Sequence, residues 1–273
     1  MRAYDAMVRL EFDDLFNVWA GRIVLPVDRA NLAGAYYLGS WDFPLVNNFP
    51  SYVAGRDNGV AVWGQTGGGK FKYQAGAFQG CSGDAPCSTG SNPDDNPLFA
   101  GRLSFAFWDP EPGYYPSADY LGQKEILSLG LSTALQKDAT GTPADRGDYA
   151  SFAIDGMLQK KLWTGGTFTL EGSYYYYDTD HKVTPLVSGS GYYVLTSYLF
   201  TEKIGIGQFQ PVFQYQSLDR DDGGFDTTKW EIGTNYIIKG HDARISAMYS
   251  QTDYQGDGEG AYDGYLAGLQ LQY

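Results

Sequence analysis

Apolar and polar residues alternate along most of this chain, and the pattern is clearest at its carboxy-terminal end. Counting back from Tyr273, every second residue is apolar: Leu271, Leu269, Ala267 and Tyr265. The residues between them are small or polar. A period of two places the apolar side chains on one face of a strand and the polar ones on the other. Residues 261–273 are therefore predicted to form a strand that ends on an aromatic residue.

The same alternation recurs along the whole chain and predicts about 13 strands. The predicted strands are 2–12, 16–25, 59–65, 70–79, 98–107, 125–137, 149–162, 167–177, 192–199, 208–216, 230–238, 243–252 and 261–273. Long polar connections, such as 139–147, alternate with shorter turns. This asymmetry is typical of outer-membrane barrels, which have long external loops and short periplasmic turns. The sequence predicts an all-β fold, an antiparallel transmembrane β-barrel in one domain, residues 1–273.

Two connections stand out by their length. Residues 26–55 fall on the external side, and the Pro-rich stretch 109–123 is long for a periplasmic turn. An odd number of strands would also leave an unpaired edge in lipid. Strands are therefore expected to be missing, unless the count is off by one.

Composition supports a barrel over a bundle of membrane helices. Aromatic residues make up 16% of the chain, with 23 Tyr, and 36 residues are Gly. Mean hydropathy is −0.35, and no apolar run approaches the ~20 residues that a membrane helix needs. A Tyr-rich carbohydrate-binding β-protein is the soluble alternative. The net charge of −13 argues against a nucleic-acid partner, which requires a basic surface.

The two cysteines, Cys81 and Cys87, lie in the sequence CSGDAPC, a loop by its Gly, Asp and Pro content. A local disulfide formed in an oxidising compartment is the favoured interpretation. A metal site and free thiols are the alternatives, and the first lacks a nearby His or third Cys. No signal peptide is visible, which indicates a mature sequence or a fragment.

Six short segments, in order along the chain, carry a resemblance to a known family. They are 17–26 (NVWAGRIVLP), 55–60 (GRDNGV), 73–80 (YQAGAFQG), 96–103 (NPLFAGRL), 208–215 (QFQPVFQY) and 231–237 (EIGTNYI). Together they resemble the phosphate-selective porins O and P, trimeric 16-stranded porins of the Gram-negative outer membrane. The resemblance implies that this chain holds the last 13 of 16 strands and is truncated at its amino terminus. It also implies that residues 26–55 are the loop that folds into the lumen and narrows the pore.

The resemblance implies a non-enzymatic, water-filled channel for the passive diffusion of small hydrophilic solutes or ions, anions such as phosphate included. Its expected partners are outer-membrane lipids and lipopolysaccharide, the barrel assembly machinery and two further copies in a homotrimer; no cofactor is expected. The chain departs from the family at two places. Val24 stands where a Lys is looked for, and Gln214 where the family tends to have Arg. The resemblance therefore does not carry phosphate selectivity over.

Turning the apolar face of each strand outward gives the candidate pore-lining residues Arg9, Arg22, Lys72, Arg102, Asp155, Glu171, Glu231 and Arg244. The constriction loop that the resemblance implies adds the charged candidates Asp28, Arg29, Asp42 and Arg56. Facing rows of basic and acidic groups would set a field across the pore. The alternative is that these are solvated charges that pair with their neighbours.

The closing strand supplies a candidate assembly signal, Tyr265, Leu269, Leu271 and Tyr273. Two further functions remain open at this point. A barrel of this size could be a scaffold or sheath for a partner protein, which would need a wide lumen. A hydrolase at the barrel rim could use His181 beside Asp180 as a base.

Overall fold

The computed structural model describes residues 4–51, 54–80, 96–182, 184, 186–256 and 260–272. These residues form one antiparallel sheet, as the alternating pattern predicts. Its strands are β1 (Ala6–Glu11), β2 (Asn17–Val24), β3 (Arg56–Thr66), β4 (Phe71–Phe78), β5 (Leu98–Ala106), β6 (Ile126–Thr142), β7 (Asp145–Lys161), β8 (Thr167–Asp178), β9 (Gly189–Leu199), β10 (Lys203–Ile204), β11 (Gly207–Arg220), β12 (Asp226–Lys239), β13 (Ala243–Gln255) and β14 (Gly260–Leu271).

Each strand pairs with the next along the chain, which is the topology of an up-and-down barrel. The exception is the two-residue strand β10, which pairs only with β11, so that β9 and β11 are direct neighbours. The thirteen strands of the main path confirm the predicted number. Within the described residues, β1 pairs only with β2 and β14 only with β13, so the sheet is not closed.

The outward face of the sheet is apolar and exposed. One cross-strand row runs through Leu103, Leu131, Ile154, Tyr174 and Tyr192, which are direct neighbours in the pairing register. All five are between 40% and 51% exposed. A contiguous exposed apolar surface of this kind suits lipid and not water.

The inward face is polar and nevertheless buried. The row next to the one above runs through Arg102, Ser132, Ala153 and Tyr175, and none of these is more than 3% exposed. Polar groups are therefore inside and apolar groups outside, as expected for a barrel with a polar lumen. The low exposure requires that something other than the wall fills this part of the lumen.

The predicted loop 139–147 is mostly strand, and this expectation was wrong. Strands β6 and β7 continue as a hairpin, with Thr140 opposite Gly147 and Thr142 opposite Asp145. A bulge between Gln136 and Thr140 shifts the register there. The sequence hid these strands because their inward side is polar and not apolar: Thr140 is buried, and its hydroxyl donates to the Thr179 carbonyl at 3.0 Å.

Residues 26–55 contain more regular structure than the sequence suggested. A one-turn helix, α1 (Arg29–Ala33), is followed by a 3-10 turn, Ala35–Tyr37. Asp28 caps α1 by accepting a hydrogen bond from the Asn31 amide at 3.3 Å. No helix among the described residues is long and apolar enough to cross a membrane.

Candidate functional site

Two segments occupy the lumen, and the first is the loop of residues 26–55. Its Asp28 is fully buried and accepts hydrogen bonds from Asn31, from Asn47 Nδ2 at 2.9 Å and from the Tyr175 hydroxyl at 2.6 Å. Burial raises the pKa of Asp28 to about 6, against these hydrogen bonds. The loop is therefore tied at this point to Tyr175 on β8.

The second segment is the turn of residues 109–123, which the sequence placed on the periplasmic side. It meets the loop at a buried ion pair, in which Arg29 donates to both carboxylate oxygens of Glu111 at 2.7 and 2.6 Å. Arg29 also donates to the Ser117 carbonyl and the Ser128 hydroxyl, both at 2.6 Å. Burial opposes ionisation of Glu111, but the Arg29 charge outweighs it and holds the Glu111 pKa at about 2. Both groups therefore stay charged in a dry site.

Wall residues hold the turn in place through its backbone. Lys72 on β4 donates to the Gly113 carbonyl at 3.3 Å, and Gln74 donates to the Tyr114 carbonyl at 2.9 Å. The Tyr114 ring stacks on Trp19 with ring centres 4.6 Å apart. These contacts draw the turn up into the barrel.

Asp119 fixes the other end of the turn. Its carboxylate accepts hydrogen bonds from Gln159 on β7 and Gln210 on β11, both at 2.6 Å. Its carbonyl lies 2.9 Å from His241 Nε2, beyond β12. The turn thus reaches from β4 to the opposite part of the sheet.

The loop 26–55 likewise crosses the lumen. Arg244 on β13 donates to the Leu38 carbonyl at 2.6 Å, and Asn235 on β12 donates to the Gly39 carbonyl at 2.9 Å. Ser40 donates to Glu231 at 3.0 Å. On the near side, Arg102 forms a two-pronged ion pair with Asp155 and donates to the Val27 carbonyl at 2.9 Å. The loop is therefore held near its start, at Val27, and near its middle, at residues 38–40.

Six of the twelve predicted site residues lie in a lumen segment or contact one: Asp28, Arg29, Lys72, Arg102, Glu231 and Arg244. A seventh, Asp155, is the wall partner of Arg102. All seven are less than 9% exposed, so they are packed against protein and not against a water column. That these residues line the pore in facing rows stays a prediction. Each of these buried charges has an ion-pair or hydrogen-bond partner, because a buried charge without one is costly.

The remaining five predicted residues have other surroundings. Arg9 and Arg56 border open space. Arg22 donates to Asn58 on β3 at 3.2 Å, and Asp42 is exposed. Glu171 is buried and accepts a hydrogen bond from the Tyr193 hydroxyl.

Open space in the lumen lies beside β1. A cavity of about 910 Å³ is enclosed by β1, the end of α1 with the 3-10 turn, and the turn 109–123. Its charged lining residues are Asp5, Arg9, Arg56 and Lys124. Its apolar and aromatic lining includes Val24, Leu32, Ala33, Ala35, Tyr36, Tyr37, Phe43, Pro112, Tyr115, Pro116 and Tyr120.

A second cavity of about 530 Å³ shares Arg9 with the first and extends to the turn after β1. Its charged residues other than Arg9 are Glu11, Asp13 and Asp14. The charge of the lining therefore changes sign at Arg9.

Sequence reasoning missed Glu111, Tyr114, Asp119 and Lys124. The available signal was the length of 109–123, together with its prolines and its Tyr114–Tyr115 pair. A simple hairpin turn needs none of these, whereas a segment that packs inside a lumen needs rings and stiff backbone. That reasoning would have placed the turn inside the barrel.

The other predicted sites have mixed outcomes. Cys81, Cys87 and Tyr273 lie outside the described residues. Tyr265, Leu269 and Leu271 on β14 point outward and are at least 61% exposed. Asp178 accepts a hydrogen bond from the Asp180 amide at 2.8 Å, so it caps its own turn, and His181 is exposed. In the described part of the chain, no three His, Cys, Asp or Glu side chains converge as a metal site.

The geometry is that of a barrel wall whose polar inner face contacts two inward segments and leaves a cavity with charged lining residues beside them. A search of curated proteins finds no match to the chain. The family model of the phosphate-selective porins O and P matches residues 3–273, and the chain therefore belongs to this family of outer-membrane channels for small solutes.

Proposed function

We propose that the protein is a passive channel that favours small anions over cations. The observation that carries this proposal is the charge of the 910 Å³ cavity, which has three cationic side chains and one carboxylate. The chain as a whole has a net charge of −13. An excess of positive charge at this place is therefore opposite to the average of the molecule, and fixed charge in a pore lining selects ions of the opposite sign.

Two of the cations are available to a solute. Arg56 is paired with Asp5 at 2.9 Å, and this pair is close to neutral. Arg9 stacks over the Trp19 ring at 4.3 Å, and Lys124 donates to the Pro110 carbonyl at 2.6 Å. Neither Arg9 nor Lys124 forms an ion pair with a residue in the part of the chain that the structure describes.

The buried charges contribute little to this selectivity. Arg29 and Arg102 are each neutralised by a carboxylate in direct contact, Glu111 and Asp155. A permeating ion meets a dipole there and not a free charge. The selectivity is therefore assigned to Arg9 and Lys124.

Residues 26–55 and 109–123 together form the constriction in this proposal. Passive diffusion needs only a water-filled passage beside them. The functional unit is a homotrimer, delivered to the outer membrane by the barrel assembly machinery through the closing strand β14. The scaffold alternative requires a wide lumen, whereas the two inward segments occupy much of the space inside this wall.

The test is a reversal potential in planar bilayers containing the purified full chain, with a KCl gradient. Chloride preference is the expected result, with current steps in groups of three. Cation preference would mean that Glu11, Asp13 and Asp14 at the second cavity dominate, and the proposal would fail. Folded protein without conductance would reject the channel itself.

A further inference from the structure

We infer that the preferred solutes of the 910 Å³ cavity are small aromatic carboxylates, that is, a carboxylate attached to a flat apolar ring. This inference rests on the proposed anion channel and names the class of solute that its lining fits. The cavity has two properties that are rarely combined in a pore for inorganic ions. Two of its cations, Arg9 and Lys124, form no ion pair with any described residue, and most of the remaining wall is apolar or aromatic.

The aromatic part of the wall comes from both inward segments. Tyr36 and Tyr37 belong to the loop 26–55, and Tyr115 and Tyr120 belong to the turn 109–123. Tyr36 is 51% exposed, and its ring has no stacking partner among the described residues. An exposed ring in a cavity wall can stack on, or meet the edge of, a flat ring that binds there.

The cationic part lies within the same space. Lys124 approaches the Tyr120 ring at 5.3 Å, so a charge and a ring are presented side by side. A carboxylate can accept hydrogen bonds from the Lys124 ammonium or from the Arg9 guanidinium. The ring of the same solute would then lie against tyrosine.

Inorganic phosphate fits this lining less well. A strongly hydrated, compact anion needs several donors to replace its water, and burying it against apolar walls is costly. Side chains such as Leu32, Phe43 and Pro116 offer no donors. The volume of about 910 Å³ lies at the upper end of the range, roughly 300–1,000 Å³, of cavities that bind small organic molecules.

The experiment measures how strongly four probes block the KCl current through channels of the full chain. Each probe is added on one side of a planar bilayer. The probes are benzoate, acetate, benzamide and inorganic phosphate. Benzoate is expected to block at about tenfold lower concentration than acetate or phosphate, the worth of one or two ring contacts. Benzamide, which has the ring without the charge, is expected to block as weakly as acetate.

Matched variants assign the effect to the cavity. Tyr36→Ala is expected to raise the half-blocking concentration of benzoate about fivefold and leave that of acetate unchanged, because one ring contact is lost. Tyr36→Phe keeps the ring and is expected to behave as the original protein. Lys124→Met is expected to weaken block by both benzoate and acetate. The control Lys203→Met, on the exposed two-residue strand β10, is expected to change neither.

The outcomes separate the two proposals. Equal block by benzoate and acetate, or stronger block by phosphate, would overturn the aromatic carboxylate inference and leave the anion channel standing. Preference for benzoate that survives Tyr36→Ala and Lys124→Met would place the binding elsewhere and overturn it too. If the original folded protein shows no KCl conductance, both the anion channel and the aromatic carboxylate inference are rejected.

Discussion

The lumen has a filled part and an open part, and they use charge in opposite ways. In the filled part, Arg29 and Arg102 are at most 3% exposed, and each forms an ion pair with a carboxylate. In the open part beside β1, Arg9 and Lys124 lie next to aromatic rings and have no carboxylate partner within the described ranges of the chain. A buried, paired charge stabilises the fold but cannot contact a solute. A solvent-exposed charge contributes little to stability, but it can attract or bind a solute. Inward orientation alone therefore does not identify a selectivity residue.

The largest effect is expected at the ion pair that joins the two inward segments. Glu111→Leu leaves Arg29 buried without its carboxylate and should cost about 3–5 kcal/mol of unfolding free energy. The double change Arg29→Met with Glu111→Leu should recover most of this loss, because no unpaired charge remains. Urea unfolding in lipid vesicles measures the effect.

Single-channel conductance gives a second readout of the same variants. Glu111→Leu should widen the passage and raise conductance, since the loop and the turn lose their link. If stability and conductance both stay at the level of the original protein, the pair does not hold the filled part together.

The next effect is the pH dependence of the attachment of loop 26–55 at Asp28. Its pKa is raised by burial from 3.8 to about 6, so the seated loop favours the protonated carboxyl. The stabilisation is complete below pH 3.8 and is lost as pH rises through about 6, by about 3 kcal/mol at most. We expect the loop to be held more firmly at pH 5 than at pH 8.

The measurement is the current noise of open channels between pH 5 and pH 8. Noise should increase with pH in the original protein and stay flat in Asp28→Asn. Glu111 acts in the opposite sense, since its pKa of about 2 makes its contribution disappear only as pH falls below 4.5. A pH response that persists unchanged in Asp28→Asn would assign it to another group.

A third prediction compares an arginine in the open part with an arginine in the filled part. Arg9→Gln should reduce the chloride preference several-fold and change the unfolding free energy by no more than about 0.5 kcal/mol, because it is a wetted charge. Arg244→Met should do the reverse, with a loss of roughly 1.5–3 kcal/mol from its bonds to the Leu38 and Ser40 carbonyls. Reversal potential and urea unfolding are measured on both. Similar behaviour of the two variants would remove the distinction between the filled and the open part.

The smallest effect is expected at a single loop anchor. The Tyr177 hydroxyl donates to the Val46 carbonyl at 2.8 Å and accepts from the Asn48 amide at 3.0 Å. Tyr177→Phe should weaken the loop by about 1 kcal/mol, the usual worth of one hydrogen bond. Faster hydrogen exchange at the Asn48 amide reports it. Tyr176→Phe, one residue away on the lipid face, is the control and should leave this amide unchanged.

Much of the wall could be predicted, because alternation along a strand is a local property. The period of two in residues such as Leu269 and Leu271 gave both the strand β14 and its outward face. The ends of the β6–β7 hairpin were missed because the residues there do not alternate between apolar and polar. Thr140 and Gly147 nevertheless pair across the two strands.

The chemistry around the constriction was only partly predictable. Arg29 and Asp28 were named as candidates from their position in a long loop, but their partners Glu111 and Tyr175 are distant in sequence. Pairing across such distances depends on where two irregular segments meet, and no periodicity encodes it. Lys124 was missed because a turn was expected to lie outside the lumen.

The sequence by itself determined the strands, their antiparallel order and which face of each meets lipid, because these follow from a repeat of two and from connection lengths. The tertiary structure alone decided which lumen charges are free. Burial and pairing depend on contacts between distant segments, such as that of Arg244 with Leu38, which are 206 residues apart. Two chains with the same alternation could therefore share this wall and differ in what passes through it.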